Sequence, residues 1–380
     1  MGDFLKWAES APPAYRADAA FALARAFLAD PMDEETRHAI EAVLTILLDD
    51  SSPDVRRALA DALSDSEDSP RHIILALAAD QVEIAATVLG RSPVFIDEEL
   101  VDVVAAADER LQIAIASRPG LSGAVAAAIA EVGELEACRT LIRNGAARVA
   151  RISLRRMAER FGDAPEMREL MLARRNLPAD VRQFLVRRLS EALGELVAVK
   201  AWVPEERAKK IARDACDRAT VAIAAETESD DLPALVEHLR ITGQLTTALL
   251  LRAVCARNVG LFETALAVLA RVPESRVTGL VRAGRTSSLR AVYGKAGLPA
   301  VAFDAFAAAL DTCRRIAGEG GPRDRYRFTR HMVESVLARY HHITDGEMNE
   351  LTGMLRRFAA DQAREAAREL ARSASAAAAA

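Results

Sequence analysis

The amino-acid sequence predicts an all-α protein, an α-solenoid of degenerate helix pairs followed by a second half that also resembles helical repeats. Hydrophobic residues make up 51% of the 380 residues and aromatic residues only 4%. The apolar excess is mostly alanine and leucine, which suit close-packed helices. Prolines and glycines fall mainly between segments of helical periodicity, as helix breakers do. Strand-like alternation is nearly absent, so a β-containing class is not indicated.

The clearest single helix lies within residues 49–63, DDSSPDVRRALADAL. Ser52, Pro53 and Asp54 predict its start, with a hydroxyl that accepts a free N–H, a proline and a carboxylate at the positive end of the helix dipole. The expected buried face consists of Val55, Leu59, Ala62 and Leu63. Before it, residues 1–29 predict an amphipathic cap, and the acidic residues 33–35 open the helix that pairs with 49–63.

Less regular copies of this helix pattern recur along the chain and indicate structural repeats. We anchor each copy on the first apolar residue of its second helix, which gives Val55, Val82, Leu111, Val149 and Val181. Successive anchors are on average about 30 residues apart, which is typical of two short helices and two tight turns per repeat. The longest step runs from Leu111 to Val149. Four of the anchors have an aspartate within the three preceding residues, whereas Gly145 and Ala146 open the fourth.

The pattern of apolar and polar residues changes from residue 195 onwards, and this change predicts the domain organisation. We expect a repeat domain with an N-terminal cap over 1–195, a long helix and junction over 196–230, and a C-terminal α-helical domain over 231–372. Within the last domain, short helices run to about residue 310, a loop covers 318–325, and two helices follow over 326–340 and 346–372. Residues 373–380 predict a mobile low-complexity tail.

Two stretches resemble known families. The units DDSSPDVRRALADAL and LPADVRQFLVRRLSEAL resemble HEAT-like repeats. The later stretch LLLRAVCARNVGLFETALAVLARVP, followed by KAGLP and a helix rich in Ala and Phe, resembles the second half of the bacterial domain-of-unknown-function family 2336. Together the resemblances cover roughly residues 40–315. They imply a helical-repeat fold and bring no activity, cofactor or catalytic residue.

Charge is distributed unevenly along the chain. Residues 1–138 contain 26 acidic residues and 10 lysines or arginines, whereas residues 139–188 contain 13 arginines and 5 acidic residues. Helical spacing places Arg148, Arg151 and Arg155 within an arc of about 60°. The opposite, buried side of this helix is expected to contain Ala150, Leu154, Met157 and Phe161. The pattern therefore predicts a stripe of guanidinium groups.

We predict an anion-contacting surface that consists of Arg148, Arg151, Arg155, Arg156, Arg182, Arg187 and Arg188. Three uses of these arginines remain open. They can be solvated or paired with carboxylates, as Glu159 is placed to do one turn after Arg155, or they can join one repeat to the next. They can bind an acidic protein, or they can bind nucleic-acid phosphate. Few aromatics and an acidic overall balance count against nucleic acid.

Motifs for catalysis or metal binding fail on spacing. Residues 284–295 end in Gly-Lys, but nine residues separate the two glycines, and Ala296 stands where a P-loop has Ser or Thr. Ser287 and Ser288 lack any motif that supplies a base. The one histidine-rich group has no metal-ligand spacing and consists of His331, His341, His342, Asp345 and Glu347. The cysteines are widely separated and are expected to be buried thiols.

These patterns favour a non-enzymatic cytoplasmic scaffold or regulatory adaptor that binds a protein partner, such as an acidic one, without catalytic residue, cofactor or metal. No secretory signal is visible, and no apolar run approaches the roughly 18–20 residues that span a bilayer. Two alternatives remain open, a HEAT-like nucleic-acid binder of DNA-repair type and an enzyme with a site between the two halves. The opposite charges of 1–138 and 139–188 also allow head-to-tail self-association.

Overall fold

The computed structural model describes residues 7–8, 10–29, 32–200, 203–318, 332–336, 352–353, 355–360, 363–364, 367–368 and 371. These residues form helices and connecting turns without a β-strand, which confirms the all-α prediction. The chain divides into two compact units, Met1–Leu177 and Pro178–Ala380. Residues 319–325 of the predicted loop, much of both closing helices, the tail and the histidine-rich group lie outside the described residues.

Unit 1 contains eleven described α-helices with assigned bounds. They are α1 Pro13–Ala29, α2 Glu34–Ile46, α3 Pro53–Leu63, α4 Arg71–Ala78, α5 Val82–Arg91, α6 Asp97–Ala106, α7 Glu109–Ala116, α8 Gly123–Val132, α9 Leu135–Arg143, α10 Arg151–Phe161 and α11 Pro165–Leu172. A short 3-10 helix, Leu47–Asp49, follows α2.

The helices of unit 1 form two rows. In one row α1 packs on α3, α3 on α5, α5 on α7, α7 on α9 and α9 on α11, and in the other α6 packs on α8 and α8 on α10. From α3 to α11, the helices of the first row begin at Pro53, Val82, Glu109, Leu135 and Pro165. Their even spacing matches the period of a helix-pair repeat. Each repeat is therefore one helix pair that buries its apolar faces against its neighbours, which is the arrangement of an α-solenoid.

The predicted fourth anchor, Val149, is wrong. Val149 lies in the segment before α10, in the second row, whereas the next helix of the first row is α9. The interval between Leu111 and Val181 therefore holds two repeats where one was expected. Helix α9 has Glu134 at its N-cap, without a side-chain cap bond. The aspartate signal that found the other helices is absent there.

The start of α3 differs from the prediction in one detail. Ser52 is the N-cap residue, but its hydroxyl makes no capping hydrogen bond. Instead, the Ser52 N–H donates to the Asp50 carboxylate at 2.8 Å, and Arg16 donates to both oxygens of the same carboxylate. The predicted buried face is confirmed, since Val55, Leu59, Ala62 and Leu63 are all at most 3% exposed.

Unit 2 contains eight described α-helices with assigned bounds. They are α12 Ala179–Val199, α13 Glu205–Glu226, α14 Leu232–Ile241, α15 Thr247–Cys255, α16 Val259–Ala270, α17 Glu274–Arg282, α18 Thr286–Lys295 and α19 Phe303–Gly318. One row runs α12, α14, α16 and α18, and a second runs α13, α15 and α19. The core between the rows includes Phe262 stacked on Phe306, with ring centroids 4.9 Å apart.

The division between the units falls between Leu177 and Pro178, whereas the sequence places the end of the first domain at 195. The reason is that α12 packs on α13 and α14, both in unit 2. Gly194 allows a close approach between α12 and α13, because a Cβ at this position would lie 3.1 Å from the Ala212 Cβ. The long helix expected within 196–230 is α13.

Candidate functional site

Seven arginines on the helices of unit 1 bind carboxylates in an adjacent repeat. The two residues of each pair are separated in sequence by close to one repeat. The pairs are Arg16 with Asp50, Arg56 with Asp80, Arg71 with Glu99, Arg91 with Asp65, Arg110 with Glu83, Arg139 with Glu166 and Arg156 with Glu131. These ion pairs connect one repeat to the next.

Within unit 1, Arg155 and Arg156 of the predicted surface bind carboxylates. Arg155 donates to Glu159 at 2.8 Å, as the one-turn spacing predicted. Arg156 donates through Nε and Nη2 to both oxygens of Glu131 on α8, at 2.8 Å each. The structure therefore places these two guanidinium groups in the ion-pair pattern of the solenoid, with their orientations fixed by the carboxylates.

The predicted helical stripe needs a correction at its beginning. Helix α10 begins at Arg151, and Arg148 lies in the preceding segment with an exposed side chain. Ala150 is the N-cap residue and is exposed, and Phe161 is only half-buried. The turn formed by residues 144–147 ends α9 and moves the start of α10 beyond Arg148. Leu154 and Met157 are buried as expected.

Arg148 instead lies on the edge of unit 1 where first-row helices end and second-row helices begin. Its backbone N–H donates to the Leu121 carbonyl at 3.0 Å, which joins the turn after α9 to the turn after α7. The Asn144 amide donates to the carbonyls of Ala116 and Arg118, and Arg118 donates to the carbonyls of Leu89 and Ser92. These turns are thus stacked in register along one edge.

Three exposed arginines follow this edge at the last two repeats of unit 1. Arg143 ends α9, Arg148 precedes α10, and Arg175 lies in the turn after α11. No carboxylate in the described part of the chain lies within ion-pairing distance of any of the three. Arg174, next to Arg175, reaches the Ile142 carbonyl at 3.5 Å and places this turn beside the end of α9. We call Arg143, Arg148 and Arg175 the basic edge.

The prediction from the sequence omits Arg143 and Arg175, because it considers one face of one helix and not the turns between repeats. The signal that could have found them is their place in the repeat. Arg143 is the last residue of α9, and Arg175 follows the end of α11, the next helix of the same row. Basic residues at helix C-terminal ends also interact favourably with the helix dipole.

The remaining predicted arginines belong to unit 2. Arg182 lies 3.5 Å from Glu226, and Arg187 donates to Glu191 at 3.1 Å. Arg188 is half-buried on the same helix, α12. The seven predicted residues are therefore divided between the units. Of those in unit 1, only Arg148 belongs to the basic edge, and Arg151 is half-buried at the start of α10.

Unit 2 also has a cleft of about 1490 Å³ along α12 and α13. Its charged groups are largely paired with one another, as in the contacts of Lys209 with Glu205 and of Arg357 with Asp214. Burial raises the pKa of the Asp217 carboxyl, an effect that the nearby arginines oppose. Burial also raises the pKa of the Cys216 thiol, so this cysteine is a poor nucleophile at neutral pH.

Neither a metal-binding cluster nor a membrane-spanning helix is found in the described part of the chain. No group of three or more His, Cys, Asp or Glu side chains among these residues is arranged to hold a metal ion. None of the described helices combines the length and the apolar composition needed to cross a bilayer.

The stacked pairs and their bridging ion pairs define a helix-pair repeat protein. Residues 84–344 match a family model described as an uncharacterised protein conserved in bacteria, DUF2336. The chain belongs to this family, which confirms the family resemblance seen in the sequence. No curated protein and no solved structure matches the chain.

Proposed function

We propose that the protein is a non-enzymatic cytoplasmic scaffold or adaptor that binds an acidic protein partner on the basic edge of unit 1. One observation carries the proposal. Arg143, Arg148 and Arg175 are exposed on one edge without a carboxylate partner among the described residues, whereas most helix-borne arginines of the same unit are paired. An unpaired exposed guanidinium can donate up to five hydrogen bonds to a partner's carboxylates.

The same edge favours a protein over nucleic acid as the partner. The second-row helix α6 begins with Asp97, Glu98 and Glu99. Basic side chains therefore dominate the edge only over the last two repeats of unit 1, whereas a duplex backbone would need phosphate contacts along a longer basic face. A short acidic protein segment requires only a short basic edge.

A capture experiment with charge-reversed variants tests the proposal. Wild-type protein and Arg143→Glu/Arg148→Glu/Arg175→Glu are compared in native lysate, with and without nuclease, and the retained proteins are identified by mass spectrometry. The control reverses exposed arginines elsewhere, Arg25→Glu/Arg276→Glu/Arg285→Glu, for an equal change in net charge.

We expect wild type and control to retain acidic proteins that the edge variant loses, regardless of nuclease. The complex should weaken as salt rises, because exposed charges are screened. If the edge variant retains the same partners as the control, the basic edge is not the binding surface. If nuclease removes every partner, nucleic acid connects them and the proposal fails.

A further inference from the structure

The first turn of α10, just after Arg148 of the basic edge, carries an exposed isoleucine. Ile152 is the second residue of α10 and is 77% exposed, whereas Ser153 and Leu154 beside it are buried. Single exposed apolar residues are ordinary on protein surfaces. Ile152 differs because of its surroundings, which are arginines on both sides along the chain.

The arginines around Ile152 differ in what holds them. Upstream, the backbone N–H of Arg148 donates to the Leu121 carbonyl in the stacked turns, and its exposed guanidinium belongs to the basic edge. Downstream, Arg155 and Arg156 lie three and four residues further on, at the spacing that makes helix side chains neighbours. Glu159 and Glu131 bind these two arginines at 2.8 Å.

Such an arrangement has a specific use in recognition. Because the backbone of Arg148 is already fixed, this residue loses less conformational entropy on binding a carboxylate, and an aliphatic side chain beside it gains by leaving water. Carboxylates alone would pair with the arginines and leave Ile152 exposed. A nucleic-acid backbone, with a charged phosphate at every step, offers little apolar surface to cover it.

We infer that the partner segment combines carboxylates with an apolar side chain, and that this side chain packs on Ile152 while the carboxylates bind the basic edge. The inference rests on the proposed function and specifies its ligand. Burying a mostly exposed aliphatic side chain is expected to raise affinity about tenfold.

The test uses the full chain and two fluorescein-labelled probes. One is a short peptide of glutamates around two central leucines, and the other replaces both leucines by serine at equal charge. Binding is followed by fluorescence anisotropy for wild type, Ile152→Ser, Ile152→Val and the triple variant Arg143→Glu/Arg148→Glu/Arg175→Glu. Circular dichroism checks that every variant keeps its helicity.

We expect wild type and Ile152→Val to bind the leucine peptide about tenfold more tightly than the serine peptide. Ile152→Ser should reduce this ratio to about one, and the triple arginine variant should lose both probes. If wild type binds both peptides equally, or Ile152→Ser leaves the ratio unchanged, the inference is overturned while arginine-dependent binding still supports the proposed function. If the binding of neither peptide depends on the arginines, both the inference and the proposed function fail.

Two further measurements identify other occupants. An oligothymidine probe that binds more tightly than either peptide, depends on the arginines and ignores Ile152→Ser would assign the edge to nucleic acid and overturn the inference. Sedimentation of the protein alone would also overturn the inference if wild type is dimeric while Ile152→Ser and the triple arginine variant are monomeric. A monomeric wild type with leucine-dependent peptide binding supports the inference.

Discussion

The ion pair between Arg56 and Asp80 offers a quantitative test of how the repeats of unit 1 are connected. Arg56 on α3 donates through Nε and Nη2 to both Asp80 oxygens, at 2.5 and 3.0 Å, and through Nη1 to the Asp50 carbonyl at 2.6 Å. Both side chains are 14% exposed. The pair therefore lies near the buried end of the range of ion pairs.

The perturbation is a double-mutant cycle of Arg56→Met, Asp80→Asn and their combination. Breaking a fully buried pair costs about 3–5 kcal/mol, and exposed pairs couple by about 0.2–1 kcal/mol. For a bidentate pair at this exposure we expect Asp80→Asn to cost about 2–3 kcal/mol, with a coupling energy of about 2 kcal/mol.

The matched control is the neighbouring pair on the same helix, Arg57 with Asp54, whose side chains are 45% and 66% exposed. Its cycle, Arg57→Met with Asp54→Asn, should give a coupling of at most about 0.5 kcal/mol. Any effect of Asp54 on the helix dipole appears in the single variant and cancels in the coupling.

The assay is hydrogen exchange followed by mass spectrometry on peptides from α3 and α5. A repeat array can open one part at a time, so local exchange is a better measure than a single unfolding midpoint. A loss of about 2 kcal/mol corresponds to roughly thirtyfold faster exchange. A coupling energy between Arg56 and Asp80 no larger than that of the control pair would show that this ion pair does not connect the two repeats.

The coupling should also depend on pH in a defined direction. The hydrogen bonds from Arg56 lower the pKa of the Asp80 carboxyl below its usual value of about 3.9. A lowered folded-state pKa stabilises the fold fully above the unfolded-state pKa and progressively less as pH falls through the folded value. The coupling should be constant from pH 8 to about pH 5 and decline below about pH 4.

Three further predictions concern packing and reactivity. Gly133→Ala should destabilise unit 1 by about 1–3 kcal/mol in urea unfolding, because its Cβ would lie 2.5 Å from the Ile129 carbonyl oxygen. The control is Gly145→Ala, whose Cβ would have no neighbour within 4 Å and which should change the stability by at most about 0.5 kcal/mol. Leu59→Ala, at a fully buried position, should cost about 2–5 kcal/mol in the same assay. Burial raises the pKa of Cys138 to about 11, so native protein should not react there with a thiol reagent at pH 8, and denatured protein should.

The sequence predicted helices well where one local signal was decisive. Pro53 and the apolar spacing that follows it predicted α3 and its buried face, and both are confirmed. The prediction failed at α9, because the fourth anchor was placed at Val149 behind Gly145 and Ala146, whereas no aspartate precedes α9 and Glu134 is its N-cap residue. Its apolar positions Ala137, Cys138, Leu141 and Ile142 have helical spacing and are buried, so periodicity alone would have found the helix.

Predicting the basic edge requires knowing which helices are neighbours, and one sequence does not give this. Arg155 and Arg156 are adjacent in sequence, yet one binds Glu159 on its own helix and the other binds Glu131 one repeat earlier. Only the first contact follows from helix geometry. The second depends on how the rows align.

The change in charge at residue 139 accounts for the unpaired arginines of the basic edge. Residues 1–138 contain 26 acidic residues and 10 lysines or arginines, so most arginines there have a carboxylate within reach in a neighbouring repeat. Residues 139–188 contain 13 arginines and 5 acidic residues. Helix-borne arginines such as Arg139 and Arg156 bind carboxylates across the repeats. With so few local acids, Arg143, Arg148 and Arg175 have no carboxylate to bind among the described residues, and their charge is available to a partner.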